Sequence, residues 1–408
     1  MLAAAGATAV LAACGSSGKG PVTLTWYVFP EPSGSFQAAA TECSQASHGA
    51  YDIKINFLPN SSDQQRVSLV RRLAANDSSI DILAMDVDWT AEFATAKWLK
   101  PVPASLAAQI KSEDLAGPVQ TATWQNKLWA IPINSNTELL WYRKDLVPTP
   151  PKTWTQMIAE ANQLAAQGKP HYIEEQGAQY EGLTVWFNSM VNSAGGQILA
   201  ANNKVVIGAS TLKAAEIMKE LATSKAADPS LNVSMEGPGQ VAFQSGTAAF
   251  MINYPFVWSG TMKGNPKVFK DMGYAYFPEV TPGIPPKVSI GGYNLGISAY
   301  SKHPNLDFQA VQCLTQDKNQ TRDAIKGGLA PVASSIYDQP AFEKAYPFHQ
   351  LIKQQLQTYG IRPQTPAYAD VTLAIQKTLS PLSNIDPKTV VSTLRNEIKL
   401  SLSSSALL

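Results

Sequence analysis

Several short apolar runs in this chain end on side chains that make forked hydrogen bonds. Glu31 follows "VTLTWYVF", Asn60 follows "YDIKINFLP", and Asp86 and Asp88 close "IDILAMDVDW". The polar run Asn134-Ser135-Asn136 interrupts the apolar segment "KLWAIPINSNTELLWYRKDL". Carboxylates and carboxamides of this kind suit ligands rich in hydroxyl groups. Paired carboxyl groups could also perform glycoside hydrolysis, one as acid and one as nucleophile or base. That chemistry leaves no local motif, and among 31 acidic residues the order of the chain does not single out a pair. Other catalytic signatures are missing: there is no G-x-S-x-G, H-E-x-x-H, P-loop or G-x-G-x-x-G. The four histidines, His48, His171, His303 and His349, are scattered without metal-ligand spacing. No metal or cofactor is expected, and the balance favours a binder over an enzyme.

The elements that must position these groups follow from patterning. "VTLTWYVF" and "YDIKINFLP" read as strands, and "IDILAMDVDW" as a buried strand. Between them, the stretch from Phe36 to Cys43 and "SDQQRVSLVRRLAAND" read as helices, the second with Val67, Val70, Leu73 and Ala74 on its apolar side. Strand–helix–strand–helix–strand is the signature of an α/β sheet, whose ligands bind at the carboxyl ends of strands. That places Glu31, Asn60, Asp86 and Asp88 on one edge. Farther on, "KLWAIPINSNTELLWYRKDL" suits a strand crossing between two lobes, and "MGYAYFPEV" a crossing back. "PPKTWTQMIAEANQLAAQGK" predicts a helix with Trp154 and Met157 inward, and "VAFQSGTAAFMINYPFVWS" a helix, a glycine turn and a strand. "KVSIGGYNLGIS" predicts a pair of strands hinged on glycines, "NLDFQAVQCLTQDKNQTRDAI" one helix, and residues 341–408 a mostly helical tail.

The chain has 408 residues, 45% hydrophobic and 15% charged, with a net charge of +1. That length argues for two lobes, and the charge balance leaves no footprint for nucleic acid or an anionic membrane. Residues 2–13, "LAAAGATAVLAA", are apolar but too short to span a bilayer. They suit the end of a secretory signal, and "Leu11-Ala12-Ala13-Cys14" resembles the lipobox of bacterial lipoproteins, whose cysteine is acylated. "GSSGKG" then reads as a flexible tether. No Lys or Arg precedes the apolar run, so the native start is expected upstream of Met1. With Cys14 as anchor, Cys43 and Cys313 remain; outside the cytoplasm such leftovers tend to pair, and otherwise they are two buried thiols.

Together the lipobox, "DILAMDVDWTAEFATAKWL", "LWAIPINSNTELLWYRKDL", "FQSGTAAFMINYPFVW", "SIGGYNLGIS" and "GGLAPV" resemble the extracellular solute-binding proteins of carbohydrate ABC importers. The similarity covers nearly the whole mature chain. Within that family, "DVDWTAEFA", "NTELLWYRKDLV", "EGLTVWFN", "NYPFV" and "RPQTPAY" are similar to mycobacterial trehalose-binding lipoproteins. The resemblance implies an α/β, two-lobed periplasmic-binding-protein fold, maltodextrin-binding-protein-like, with crossing hinge strands. It divides the chain into a truncated signal peptide (1–13), a lipidated tether (14–21), a first lobe (22–131 and 278–330) and a second lobe (132–277 and 331–408). It implies a monomer that takes a disaccharide, trehalose first, between the lobes and delivers it to permease subunits with a cytoplasmic ATPase. The site it carries over is Asp86, Asn136, Glu236, Tyr254, Gly292 and Arg362. Tyr254 stands where those lipoproteins have tryptophan. Glu31 is expected to replace an aspartate of the first loop, and Glu181 to reach in from the second lobe. The alternatives are a receptor for maltose-like or other glucosides, a secreted glycosidase, or a structural envelope lipoprotein.

Overall fold

The computed structural model describes residues 20–404. Cys14, the apolar run before it and most of the tether lie outside them. Strand β1 (Val22–Val28) turns Leu24, Trp26 and Val28 into the core, the period-2 alternation expected of a strand. Helix α1 (Ser35–Ala46) answers with Phe36, Ala39, Ala40 and Cys43, one face at helical spacing. Strand β2 (Tyr51–Phe57) leads to α2 (Ser62–Ala74), which buries Gln65, Leu69 and Leu73. The expected face was rotated: Val67 is 41% exposed, because the true stripe runs through the polar Gln65, which donates to the Pro59 carbonyl. Strand β3 (Ile82–Asp86) is buried throughout, as befits a strand with a neighbour on each side.

Strand β4 (Ala130–Asn136) remains in this first sheet, and β5 (Leu139–Arg143) opens the second, so the chain crosses at Thr137-Glu138. The second sheet adds β6 (Tyr172–Glu174), β7 (Ala248–Asn253) and β8 (Met272–Ala275), in the order β8–β5–β7–β6. Around it pack α3 (Glu181–Ser193) and α4 (Glu236–Ser245), the latter stopped by Gly246 in the left-handed conformation. The chain then recrosses to β9 (Gly291–Ser298), which runs antiparallel to both β3 and β4 and completes the first sheet. The expected pair of strands in "KVSIGGYNLGIS" is therefore one strand, with its glycines at the start. Gly292 has φ +118°, and a Cβ there would sit 2.3 Å from the Asn134 carbonyl oxygen, so the close approach of β4 demands glycine.

Helix α5 (Pro304–Leu314) ends sooner than expected. The chain is extended at Gln316, resumes as Asp317–Arg322 and then widens into a π turn over Asp323–Gly327. Cys43 of α1 and Cys313 of α5 form a disulfide with their Cα atoms 5.8 Å apart, closing 270 residues of sequence. The tail is helical as expected, with α6 (His349–Gln357), α7 (Tyr368–Leu379) and Val390–Ser404 as its longer pieces.

Each lobe has its own core. The first gathers Trp26, Leu83, Phe93 and Ile297. The second gathers Trp154, Met157, Trp186, Phe187 and Phe250. A third cluster, with Trp141, Ile290, Tyr337, Phe348 and Ile352, packs beside the crossings. Among the described residues no helix is long and apolar enough to cross a membrane.

Candidate functional site

Register brings the polar strand ends together. Tyr293 of β9 lies opposite Asp86 on one side and Asn134 on the other, and Gly291 lies opposite Asn136. This edge of the first sheet faces the second lobe across a cavity of about 470 Å³. That volume is within the range of small-ligand sites. Asp86, Asn136, Gly292, Glu181, Glu236, Tyr254 and Arg362 all line it. Asn60 lines it too, at the end of its strand as the pattern indicates, whereas Asp88 is buried behind it.

Arg362, in the loop between α6 and α7, ties the two lobes. Its Nη2 donates to Asp86 Oδ1 at 2.7 Å and its Nη1 to Glu181 Oε1 at 2.6 Å. Asp88 Oδ1 is 3.4 Å from the same Nη1. Asp86 also accepts from Ser62 Oγ, and Glu181 from Thr372 Oγ1 and the Tyr368 hydroxyl. Burial alone would raise the Asp86 carboxyl, but the guanidinium, with the hydrogen bonds from Asp88 and Ser62, holds the group below its ordinary value. Asp88 is pushed well above its ordinary value, first by burial and then by the negative charge of Asp86, against the pull of Arg362. Glu181 is raised by burial and by Asp86, again against Arg362. One cation thus serves three carboxyl groups. Asp86 is an ionised acceptor at the cavity wall, and the guanidinium supplies donors in a fixed fork beside it.

The second lobe contributes a positioned pair. Asn253, at the end of β7, accepts from the Tyr254 backbone N–H at 2.8 Å and donates to the Glu236 carbonyl at 2.9 Å. One carboxamide thereby fixes both residues. Glu236 is raised, mainly by burial.

Apolar ring faces complete the cavity. Phe29 and Tyr293 stack with centroids 4.1 Å apart, and the Tyr293 hydroxyl donates to Gln65 Oε1 at 3.1 Å. Tyr180 and Phe256 line the far side. Sugar C–H faces pack on such planes while vicinal hydroxyls take the forked donors and acceptors.

Glu31 departs from its expected place. Its carboxylate accepts from the Ser33 and Ser35 backbone N–H groups and from Ser35 Oγ, at 2.7, 3.0 and 2.9 Å. It caps the start of α1, where free N–H groups favour a negative charge, and it is absent from the cavity wall. Sequence reasoning did not name Phe29, Tyr180 or Tyr293. Tyr293 was within reach of it, as the neighbour of Gly292 on a strand paired with β3. Glu138 and Glu175, buried carboxyl groups behind the wall, were also missed. Among the described residues no group of three or more His, Cys, Asp or Glu side chains is placed to hold a metal ion.

Known proteins share this fold. The chain is 28% identical over 329 residues to a probable ABC transporter-binding protein of Deinococcus radiodurans, covering 77% of this chain and 76% of that protein. It superposes on maltose-bound MalE3 of T. maritima with a TM-score of 0.82 and 27% identity, over 93% of this chain and 99% of that one. The GacH receptor of Streptomyces glaucescens shares the fold, with a TM-score of 0.81 at 21% identity, over 94% and 99% of the two chains. Residues 30–321 match the family model of the bacterial extracellular solute-binding proteins, and the chain belongs to that family.

Proposed function

We propose that this protein is the sugar receptor of an ABC importer, that it captures trehalose between its lobes, and that it hands the sugar on without hydrolysing it. The observation that carries the reading is the convergence of Asp86, Asn136, Glu236, Tyr254, Gly292 and Arg362 on one interlobe cavity. The resemblance to trehalose-binding lipoproteins had named those residues separately. The relatives add support: one is described as an ABC transporter-binding protein, and the T. maritima structure as maltose-bound. On this reading Cys14 carries the lipid that holds the receptor at the extracytoplasmic face of the membrane, beside its permease subunits and their cytoplasmic ATPase. The receptor acts as a monomer and needs no cofactor. The likeness to maltose-bound MalE3 favours a second reading, a receptor for maltose-like glucosides.

Calorimetric titration with trehalose and with maltose at one temperature, coupled to an assay for released glucose, tests both. Trehalose binding more tightly than maltose, with no glucose formed, is the expected result. Tighter maltose binding selects the second reading, and glucose release from trehalose makes the protein a glycosidase.

A further inference from the structure

The loop that carries Arg362 is held at its ends rather than along its length. Gly360 joins the segment that leads into β9: its N–H donates to the Val288 carbonyl at 2.8 Å, and its carbonyl accepts from the Ile290 N–H at 3.0 Å. Helix α7 begins at Tyr368. Between them, among the described residues, the backbone of residues 361–364 makes no hydrogen bond to another main-chain group. Two side chains pin the loop instead, and both reach Gln120, in the short helix Ala116–Thr121. The Tyr359 hydroxyl donates to Gln120 Oε1 at 2.5 Å. Gln364 Nε2 donates to the Gln120 carbonyl at 3.1 Å and, more weakly, to the Thr123 carbonyl at 3.4 Å. Both partners of Gln364 are acceptors, so the amide nitrogen of its carboxamide must face them.

Arg362 stands two residues before Gln364, and the residue between them is Pro363. The pyrrolidine ring fixes the φ of Pro363, and a residue that precedes proline is confined to extended conformations. Few soft torsions therefore separate the pinned carboxamide from Arg362, and a shift at Gln364 is passed on to the arginine. The place of Arg362 matters because it sets the charge of the cavity wall. Asp86 is faced by Asp63 of α2, by Asp88, by Glu181 of α3, by Glu236 of α4, by Tyr254 after β7 and by Tyr293 of β9. The cation against it is Arg362. Gln364 itself is partly exposed and is absent from the cavity wall.

We propose that Gln364 is a positioning residue for Arg362: through the Gln120 and Thr123 carbonyls it fixes the loop so that the guanidinium stands between Asp86 and Glu181, where it meets the sugar. The proposal rests on the reading of the cavity as a sugar site. Gln364 touches no ligand on this account and acts through the cation alone. Loss of its two donor bonds lets the loop, and Arg362 with it, move away from Asp86. The carboxyl then loses the partner that does most to hold it below its ordinary value, and its titration moves up. Sugar binding uses Asp86 as an ionised acceptor, so the fall in affinity on acidification moves up in pH with that carboxyl.

The test uses the full chain and the variant Gln364→Met, which keeps the length of the side chain and removes both donor bonds. Trehalose affinity at neutral pH should fall about 3- to 10-fold, the loss expected of one or two neutral hydrogen bonds. In sugar-free protein, NMR of isotope-labelled aspartate carboxyl carbons, with Asp86→Asn to assign the signal, should place the Asp86 midpoint higher in Gln364→Met than in the parent. Gln364→Lys restores a donor and should bring both affinity and midpoint back toward the parent. If Gln364→Met does not fold, Gln364→Asn, too short to reach the carbonyls, is read in the same way. An unmoved Asp86 midpoint overturns the proposal whatever the affinity does, because a merely structural role for Gln364 would leave that carboxyl alone. Gln364→Lys behaving no better than Gln364→Met overturns it too. A midpoint that moves while the parent binds no disaccharide upholds the positioning role and refutes the sugar reading. Disaccharide binding with an unmoved midpoint does the reverse.

Discussion

Replacing Arg362 by alanine removes the cation from a group of three carboxyl groups. The guanidinium side chain is 3% exposed, with Asp86 at 2.7 Å, Glu181 at 2.6 Å and Asp88 at 3.4 Å. Breaking a buried ion pair by removing one partner costs about 3–5 kcal/mol, because the other charge stays buried and unpaired. At pH 7 the variant should therefore be less stable than the parent by roughly that amount, read as a shift in urea midpoint. The pH dependence separates this cause from lost packing. In the parent, Asp86 is held below its ordinary value, so its contribution is present above the unfolded pKa and is lost as pH falls through the folded one. In the variant only the hydrogen bonds from Ser62 and Asp88 still oppose burial, so the Asp86 carboxyl rises above its unfolded value and costs stability as pH climbs. The deficit should consequently shrink on acidification, by about 1.4 kcal/mol per pH unit for each carboxyl that takes up a proton. Urea unfolding at pH 4.5, 6 and 7.5 is the assay. A deficit that is constant across those pH values, or smaller than about 1 kcal/mol at pH 7.5, would refute the electrostatic account of this site.

Three other outcomes are expected. Cys43→Ser together with Cys313→Ser should lower unfolding free energy by up to about 5 kcal/mol, the chain-entropy limit for so long a loop, and mass spectrometry of the non-reduced parent should find neither thiol free. Gly292→Ala should cost more than about 1 kcal/mol, since the strained φ and the Asn134 carbonyl both oppose a Cβ, whereas Gly237→Ala, with open space around it, should be close to neutral in the same thermal melt. Cys14→Ala should shift the protein from the membrane fraction to the soluble one, because without its acyl chains nothing in the lipobox reading holds it there.

The first sheet was legible because its strands are short apolar runs punctuated by polar ends, and the parallel strands β1, β2 and β3 line those ends up on one edge. Asp86 and Asn60 follow from that rule alone. Glu31 obeys the same rule and fails it in space. It precedes a helix start by a few residues, and the bare N–H groups of Ser33 and Ser35 take its carboxylate before any ligand could. Local hydrogen bonding of this sort competes with every strand-end acid, and the order of residues does not say which partner wins. The face of α2 was misread because Gln65 is buried by a hydrogen bond to the Pro59 carbonyl, an interaction that apolar periodicity does not register. Glu138 was passed over for a related reason. Inside "NTELLWYR" it is one acid in an apolar run, and its burial depends on neighbours contributed by the segment after β6, by α3 and by α4, all distant in sequence. Arg362 and Glu236 carry no local pattern, and their place came from family resemblance. The structure joins Arg362 to Asp86 across 276 residues of chain.

The central claim is that a disaccharide is held between the lobes by Asp86 and Arg362, paired side by side at the cavity wall. Titrating trehalose into the parent, Asp86→Asn and Arg362→Lys under one set of conditions tests it most directly. Each variant loses a charge-assisted or forked hydrogen bond in a water-excluded site, a loss of about 1.5–3 kcal/mol, so affinity should fall on the order of 10- to 100-fold in both. Parent-like affinity in both variants, with their folds intact, would contradict the assignment of the cleft.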